Sequence, residues 1–357
     1  MIEELIKKAS SKGTKKKTSK ASSVVISSRL RLARNLKNYT FPNRANITQK
    51  CDILSDIETV LKDIPYMNKG YFFKMEELSS LEKKILVERH WISRELSEID
   101  EGSAVSISSD HLCSIMINEE DHLRIQFIKN GFNLNALWKT VNDFDDLLED
   151  KLPYAFSKDL GYVTACPTNL GTGLRASVMM HLPGLSISDN IEKAIRASNQ
   201  LGLAVRGLFG EGSDASGHIY QISNQQTLGE SEKDILDRLA GVLKNIIDHE
   251  LNARIKYYEK NKEILIDKIH RSFGILQNCH LINSDEAMNH LSFMRMAIDL
   301  GFLPEEFRRL IDYLFIEIQP GHIQYPDSNI SVELRDIKRA ELLRNNFNKL
   351  PSLNFDK

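Results

Sequence analysis

The sequence is poor in the features that mark secreted, membrane-spanning and zinc-stabilised proteins. It has only four cysteines, Cys51, Cys113, Cys166 and Cys279, which lie too far apart to form a CxxC pair. Their scarcity and spacing argue against a disulfide framework and a cysteine zinc site, and they favour a reducing cytoplasm. The N-terminus lacks the apolar segment of a signal peptide, and no apolar run is long enough to cross a membrane.

Neither sign of charge predominates in the chain. The 47 lysines and arginines nearly balance the 49 aspartates and glutamates, for a formal net charge of -2. This balance argues against nucleic acid or an acidic membrane surface as a partner. A basic, serine-rich run covers residues 10–23, so residues 1–23 are predicted to form a disordered tail. The length of 357 residues and the hydrophobic fraction of 41% predict a soluble globular protein of two domains.

The two common phosphate-binding signatures are also missing. The sequence has no GxxxxGK[ST] motif and no HRD or DFG arrangement, so it has neither a P-loop nor a protein-kinase nucleotide site. It has instead CPTNLGTGLR at residues 166–175, in which a cysteine beside a proline precedes a glycine-bearing turn and an arginine. This context favours a functional role for Cys166. The other three cysteines have no such context and are predicted to be packing residues.

Hydrophobic periodicity predicts strands and helices in the first two-thirds of the chain. Strand signals lie at residues 24–36, 114–128 (two strands joined by a polar turn), 204–210 and 218–223. Helical periodicity lies at residues 77–99, 139–151, 188–202 and 231–256. Ser231 and Asp234 are suited to cap the last of these helices. Hairpins flanked by helices predict an α+β fold with an antiparallel sheet. From residue 265 the pattern is mostly helical, which places a domain boundary at 257–265.

Arginine recurs in apolar strands and glycine-bearing loops. In VVISSRLRLARNL, the alternation of a strand puts Arg29 and Arg31 on one face. Neighbouring guanidinium groups repel and stay charged, so an anion is expected between them, although these residues alone slightly favour a solvated edge strand. Arg124 follows NEEDHL, whose three acids by themselves indicate a solvated turn. Arg206 leaves an apolar run and enters a glycine-bearing loop with Glu211.

Taken together, these stretches resemble the phosphagen (guanidino) kinase family. The resemblance runs from about Val24 to Leu228 and rests on SSRLRLARNL, NEEDHLRI, CPTNLGT followed by Arg175, and RGLFGEG followed by ISNQQTLG. It implies a catalytic domain at 24–257, with the antiparallel, glutamine-synthetase-like sheet of the family, and a C-terminal helical domain at 265–357. Within the family, the chain most resembles bacterial members that phosphorylate arginine side chains of proteins. Members acting on small guanidino compounds carry a long helical domain where this chain has only the 23 residues before Val24.

The resemblance implies an ATP site built mainly from arginines. Their planar guanidinium groups suit multidentate contacts with phosphate. Mg²⁺ would bridge phosphate oxygens, with water completing its coordination, so no protein metal ligand is expected. The implied ATP-binding residues are Ser28, Arg29, Arg31, His90 against the adenine, Arg124, Arg175 and Arg206.

The resemblance also implies how the acceptor is held. An arginine side chain is protonated at neutral pH, so its nitrogen is a poor nucleophile. Glu120 and Glu211 would grip the guanidinium, align the attacking nitrogen and accept its proton. Cys166, as a thiolate favoured by nearby positive charge, would lie against the same group without forming a covalent intermediate. Arg206 completes the implied catalytic set. The loop after Glu211 lacks the histidine-threonine pair usual in small-molecule members, which suits a more open site.

The C-terminal helical region contains RDIKRA at residues 335–340. It resembles the motif with which protein-directed members bind phosphoarginine away from the active site, and it implies an allosteric role for Arg335, Asp336 and Arg339. Taken alone, the motif also fits a charged helical face. The resemblance further implies a homodimer, protein substrates with exposed arginines, a small zinc-binding activator protein and an AAA+ unfoldase or protease that degrades the marked substrates.

Two alternative functions stay open at this point. The first is a small-molecule guanidino kinase that acts on free arginine. The second is a phosphoarginine-reading adaptor whose kinase site is vestigial. Against the second, all five arginines, both glutamates and Cys166 are present, and arginines that face one another are costly without a bound phosphate.

Overall fold

A computed structural model of the protein describes residues 2, 4–6, 20–207, 215–327 and 329–355. Its strands are β1 Val25–Arg34, β2 Tyr71–Lys74, β3 Ala104–Ile107, β4 Cys113–Ile117, β5 Leu123–Asn130, β6 Phe156–Ser157, β7 Gly161–Tyr162, β8 Leu174–His181, β9 Leu203–Gly207 and β10 Ile219–Asn224. β6 and β7 form a separate hairpin, and the other eight form one sheet in the order β2-β3-β4-β5-β1-β8-β10-β9. Every pairing is antiparallel, which confirms the predicted sheet.

The two faces of this sheet differ in chemistry, and β1 shows why. Along β1, Leu30 and Leu32 are fully buried on one face. Arg29 and Arg31 alternate with them and therefore project from the other face. The apolar face is covered by helices, whereas the opposite face carries the arginines. A strand with this alternation can have only one register, because a shift of one residue would bury the charges.

The α-helices, in chain order, are α1 Lys20–Val24, α2 Ile47–Asp63, α3 Ser80–Glu88, α4 Arg94–Ser97, α5 Leu134–Glu149, α6 Pro183–Ile187, α7 Ile191–Gln200, α8 Glu232–Lys260, α9 Lys262–Asn278, α10 Ser284–Asp299, α11 Arg308–Glu317, α12 Pro320–Gln324 and α13 Val332–Phe347. Short 3₁₀ turns lie at Met75–Glu77, Pro167–Asn169, Ser216–His218 and Glu305–Phe307. No helix within the described ranges is long and apolar enough to span a membrane.

The main core lies between the apolar face of the sheet and three helices. α2, α5 and α8 contribute Ile57, Val141 and Leu239, all fully buried with the leucines of β1. α8 begins where the sequence predicts, because the Ser231 side chain accepts from the Asp234 backbone N–H and the Asp234 carboxylate accepts from that of Ser231. These helices cover the apolar face of the sheet and leave the arginine face accessible.

The structure departs from the predicted elements at several places, since α2, β2 and β3 lie where no element was predicted. Two further departures bear directly on the site. The helix predicted at 77–99 is broken into α3 and α4, because His90 takes a φ of +60° that ends the first segment. β8 was not predicted as a strand, although it is the central partner of β1 and carries Arg175. Its sequence, LRASVMMH, lacks a strict alternation because both of its faces are largely covered.

The helices after residue 260 pack around a second core, in line with the helical region predicted there. This core reaches the sheet through Ile219 at the start of β10. A third, smaller core packs β2 and β3 against α3 and α4. Ile2 and Leu5, which fall within the stretch predicted as a tail, are buried in this third core.

Candidate active site

The arginines singled out in the sequence share the open face of the sheet. Register places Arg31 of β1 directly across from Arg175 of β8. Arg29 lies one same-face position before Arg31, and Arg124 of β5 lies one same-face position beyond it. The same register puts Arg206 of β9 on this face, at the edge of the sheet. The structure therefore brings together five cationic side chains that are scattered over 178 residues of sequence, from 29 to 206.

Few protein groups compensate this charge. Arg29 donates from Nε to the Ser177 hydroxyl at 3.2 Å and from Nη2 to Gln221 Oε1 at 2.6 Å. The Nε atoms of Arg31 and Arg175 are buried and have no hydrogen-bond partner among the described residues. A buried donor without a partner is unfavourable, so these two guanidinium groups are arranged for a ligand that accepts hydrogen bonds.

The lowered pKa values of these arginines also indicate a site for an anionic ligand. Burial, followed by repulsion from Arg124 and Arg175, lowers the pKa of Arg29 to about 10. Burial and the same kind of repulsion hold the pKa of Arg31 well below its ordinary value. Burial and Arg206 lower the pKa of Arg175. Each shift shows that the charged form lacks compensation within the protein, and a polyanion such as a nucleoside triphosphate supplies it.

Arg124 is the exception, because it has a protein partner. Its Nη1 donates to both carboxylate oxygens of Glu119, at 2.6 and 2.5 Å. Burial acts to lower the pKa of Arg124, but the ion pair outweighs burial and raises it. Glu119 is itself buried and also accepts from the Ser93 hydroxyl. Glu119 therefore positions Arg124 from behind.

His90 lies beside this arginine face. Its carbonyl accepts from Gln126 Nε2 at 2.6 Å, and Gln126 pairs directly across from Arg31. Burial, and then repulsion from Arg29, lowers the pKa of His90 to about 4. The imidazole is therefore neutral at physiological pH, and a neutral ring suits contact with an uncharged base better than with a phosphate.

Ser28 does not share the position of the arginines. It alternates with them along β1 and is fully buried towards the helices. Its hydroxyl donates to the Gly131 carbonyl at 2.8 Å and accepts from the Asn133 backbone N–H at 3.0 Å. Its side chain therefore anchors the end of β5, and Ser27 is the serine that shares a face with Arg29.

The acceptor residues Glu120 and Cys166 lie on adjoining loops, because Asp121 accepts from the backbone N–H of Ala165. Burial and the neighbouring Asp121 raise the pKa of Glu120 above its ordinary value, and the nearby Cys166 side chain opposes this shift. Each residue also lies within electrostatic range of a phosphate-binding candidate, Glu120 of Arg124 and Cys166 of Arg175. The acceptor pair thus adjoins the arginine face.

Asp121 joins the loops that carry these two residues, a role that was not predicted from the sequence. Its Oδ1 accepts from the Ala165 backbone N–H at 2.7 Å and from Asn35 Nδ2 at 2.6 Å. Asp121 is almost fully buried, as is Glu119. The three acids of NEEDH are therefore not a solvated turn, since only Glu120 is exposed. A short acidic turn between two strongly apolar strands is the one signal that could have indicated burial.

The cysteine loop is held by the segment that follows β10. The Thr227 hydroxyl lies within hydrogen-bond distance of the carbonyls of Thr168 and Leu170, at 2.9 and 2.7 Å. Gly171 has a φ of +103°, and a Cβ there would lie 2.4 Å from the Thr227 carbonyl oxygen. Glycine is therefore required at 171 so that the loop can approach this segment. The Thr168 hydroxyl lies 3.0 Å from the Cys166 sulfur, which ties Thr227 to the cysteine.

The remaining candidates are distributed as follows. Glu211 lies outside the described residues. Cys113 is buried in β4, but Cys51 is exposed on α2, so its prediction as a packing residue is wrong. The described residues contain no group of three or more histidine, cysteine, aspartate or glutamate side chains that could hold a metal ion.

The RDIKRA motif lies on α13, away from the sheet. Arg339 is buried, and it donates to the carbonyls of Ile318 and Ile282, both at 2.8 Å, and to the Asp336 carboxylate. Arg335 and Asp336 are partly exposed. Arg339 therefore secures the motif to the helical core, and the other two residues face outward.

This fold and this arginine face define an ATP:guanido phosphotransferase. The sequence profile of the ATP:guanido phosphotransferase C-terminal catalytic domain matches residues 52–253, more than half of the chain, and the chain belongs to that family. It is an enzyme of that class. A crystal structure of lombricine kinase superimposes with a TM-score of 0.58 at 26% identity, covering 68% of this chain and 70% of that one. The duplicated taurocyamine kinase of Schistosoma mansoni, 22% identical over 80% of this chain and 48% of that one, shares the fold with a TM-score of 0.59.

The more particular likeness is to protein-arginine kinases. Residues 262–357 match the profile of the protein-arginine kinase McsB C-terminal domain. The protein-arginine kinase of Bacillus subtilis is 44% identical over 326 residues, 90% of each chain. That of Halothermothrix orenii is 43% identical over 327 residues, 91% of this chain and 93% of that one. These findings confirm the predicted family and fold class.

Proposed function

We propose that the chain is a protein-arginine kinase, which transfers the γ-phosphoryl group of ATP to arginine side chains of proteins. One observation carries the proposal: the sheet register gathers the five arginines on one face, and Asp121 joins the loops of Glu120 and Cys166 beside Arg124 and Arg175. A guanidinium held by the first pair would face a phosphate held by the second. The names of the relatives and the match of the C-terminal region support proteins as the substrates.

The phosphate-binding half needs only charge and position. Arg29, Arg31 and Arg175 supply donors to the phosphate chain, and their partial burial strengthens each contact. Arg206 adds an exposed donor at the edge of the sheet. Arg124, fixed by Glu119, lies between the phosphates and the acceptor residues. Because these groups are fixed by the sheet before ATP binds, little reorganisation accompanies transfer. His90 takes the adenine end.

The acceptor half aligns the nucleophile and removes its proton. Glu120 and Glu211 hold the substrate guanidinium, with Cys166 against it. A guanidinium nitrogen attacks the γ-phosphorus in line with the departing ADP oxygen, so that an N–P bond forms as the P–O bond breaks. The proton of that nitrogen passes to a carboxylate, for which the raised pKa of Glu120 is favourable. The products are phosphoarginine and ADP.

Mg²⁺ fits this site only as a companion of the nucleotide. Its ligands would be phosphate oxygens and water, with no dedicated protein cage. When bound, it neutralises phosphate charge. The arginines of the sheet perform the rest of that task.

The wider setting follows from the same proposal. We assign Arg335 and Asp336 to a phosphoarginine site on α13, with Arg339 as its anchor. We further propose a cytoplasmic homodimer that works with a small zinc-binding activator and an AAA+ unfoldase or protease.

Replacing Asp336 with alanine is expected to leave basal transfer unchanged while removing stimulation by a phosphoarginine peptide. An unchanged stimulation would make RDIKRA an ordinary charged surface.

The decisive experiment is mass spectrometry under conditions that preserve N–P bonds. The chain is incubated with ATP and either an unfolded protein or free arginine. We expect phosphoarginine in the protein, and loss of the product with Glu120→Gln and Cys166→Ala. Phosphorylation of free arginine alone would establish the small-molecule kinase instead. Absence of ATP turnover with both acceptors would favour the adaptor.

A further inference from the structure

A groove beside the acceptor residues has no part in phosphoryl transfer itself. It has a volume of about 300 Å³ and lies between the β6–β7 hairpin and the segment that leads from β10 into α8. Its rim carries three large apolar side chains, Phe156, Leu160 and Leu228, which are 57%, 45% and 51% exposed. Exposed apolar side chains that cluster on one rim mark a binding surface, whereas isolated ones do not.

The groove is built directly onto the cysteine loop. Tyr162 and Gly171 form its floor and exchange backbone hydrogen bonds of 2.8 and 3.3 Å. Thr227 lines the opposite wall and bonds to the Thr168 carbonyl, and Thr168 in turn touches Cys166. A ligand in the groove is therefore separated from the acceptor residues by the cysteine loop alone.

The groove is acidic as well as apolar. Asp159, Glu230 and Glu232 line it, with no lysine or arginine among the lining residues. One carboxylate oxygen of Glu230 accepts from Arg238 at 2.7 Å. The other is buried and has no hydrogen-bond partner among the described residues. Such an oxygen favours a ligand that donates a hydrogen bond, as a peptide N–H group does.

We propose that this surface, the flank groove formed by Phe156, Leu160, Tyr162, Thr227, Leu228 and Glu230, binds an unfolded polypeptide next to the target arginine. An apolar substrate side chain packs among Phe156, Leu160 and Leu228, and a substrate N–H group donates to Glu230. Folded proteins bury most such apolar side chains, so the groove selects arginines in unfolded chains. The proposal rests on the proposed function and adds the substrate feature that the enzyme reads.

The test compares two peptides of equal length, each with a single arginine. One has leucine and phenylalanine next to the arginine, and the other has serine at those positions. The wild-type chain is expected to prefer the apolar peptide roughly tenfold in kcat/KM, through KM. The double variant Phe156→Ser, Leu228→Ser should lose this preference while kcat and the rate on the serine peptide stay the same. Leu201→Ser, at a site that is 52% exposed and outside the groove, is the matched control and should keep it.

Binding provides a second measurement that does not depend on turnover. Fluorescence anisotropy of the labelled apolar peptide should show a Kd about tenfold weaker for the double variant than for the control. If the double variant is unfolded by calorimetry, Leu228→Ala alone replaces it, with an expected loss of roughly threefold. Equal affinity of variant and control, or no peptide preference in the wild type, would overturn the groove proposal. Phosphorylation of free arginine but of neither peptide would instead refute the proposed function, and the anisotropy result would still decide the groove.

Discussion

At the scale of single residues, the candidate site contains side chains whose arrangement destabilises the protein when no ligand is bound. Arg31 lies across from Arg175, and the Nε atoms of both are buried without a partner among the described residues. A bound anionic ligand offsets the unfavourable free energy of such an arrangement. We therefore expect the arginines to lower the free energy of unfolding of the ligand-free protein.

Replacing Arg31 with methionine should accordingly stabilise the ligand-free enzyme. It removes an unpaired buried donor and relieves the repulsion on Arg29 and Arg175, so the melting temperature is expected to rise by roughly 2–4 °C. The same change should abolish the increase in melting temperature that ATP causes in the wild type. Differential scanning calorimetry with and without ATP measures both effects.

The control for that change is Arg196→Met, which removes an arginine whose ion pair with Glu192 is exposed. Exposed pairs contribute little, so neither the melting temperature nor the ATP effect should change much. A ligand-free Arg31→Met variant that melts below the wild type would show that the arginine face is not strained.

Single residues also show how far the sequence could predict the site. Strand alternation was enough to place Arg29 and Arg31 on one face, because alternation is a local rule. The role of Asp121 could not be predicted from the sequence, because its partners Asn35 and Ala165 are 86 and 44 positions away. No local pattern distinguishes an acid that braces two distant loops from one that faces water.

At the scale of elements, α3 connects the nucleotide region with the C-terminal helices. Its last residue, Glu88, accepts from the backbone N–H groups of Gly321 and His322, at 2.7 and 3.1 Å, and from His322 Nδ1 at 2.7 Å. The next residue, Arg89, pairs with Glu317 at 2.6 Å. A carboxylate at a helix N-terminus stabilises it, so Glu88 caps α12 from a different part of the chain.

Replacing Glu88 with glutamine should loosen α12. The amide keeps the shape of the carboxylate but loses its charge, so the free energy of unfolding is expected to fall by about 1 kcal/mol. Hydrogen–deuterium exchange at residues 320–324 should accelerate at the same time. Gly321→Ala should accelerate the same amides through a clash, because a Cβ there would lie 2.7 Å from Glu88 Oε2. Unchanged exchange in both variants would show that this contact does not hold α12.

The sequence could predict these helices but not the tertiary contact between them. Helical periodicity after residue 265 was visible, and so was the helix around 77–99, although its break at His90 was not. The break depends on a positive φ that histidine adopts only where tertiary contacts require it. Glu88 and Gly321 are 233 positions apart. Only the folded chain brings the acid to the helix that it caps.

At the scale of the whole molecule, a chain of buried hydrogen bonds joins the sheet to the C-terminal helices. Arg295 of α10 lies 3.2 Å from His181 Nδ1 at the end of β8. Because a guanidinium can only donate, Nδ1 accepts and the proton of His181 is on Nε2, which donates to the Ser292 hydroxyl at 2.8 Å. The hydroxyl also lies 2.8 Å from His218 Nδ1. The bond from Arg295 requires a neutral His181, and a neutral His218 allows the hydroxyl to donate to its Nδ1.

This chain makes the junction sensitive to acid. Burial, and then Arg295, holds the pKa of His181 well below its ordinary value, and burial lowers the pKa of His218 to about 4. Between the ordinary pKa of 6.5 and these lowered values, the unfolded chain binds protons that the folded chain does not. Stability is therefore fully present above pH 6.5 and declines as the pH falls towards 4.

The last prediction follows from that sign. Between pH 7.5 and pH 5.5, the wild type should lose about 1 kcal/mol of unfolding free energy for each of the two histidines. His218→Gln keeps an acceptor for Ser292 but cannot titrate, so its loss over this interval should be about 1 kcal/mol smaller than that of the wild type. Urea unfolding at the two pH values measures the difference, and His249→Gln, on the exposed side of α8, is the control that should behave as the wild type. An equal loss in wild type and His218→Gln would show that protonation at the junction does not govern the acid sensitivity of the fold.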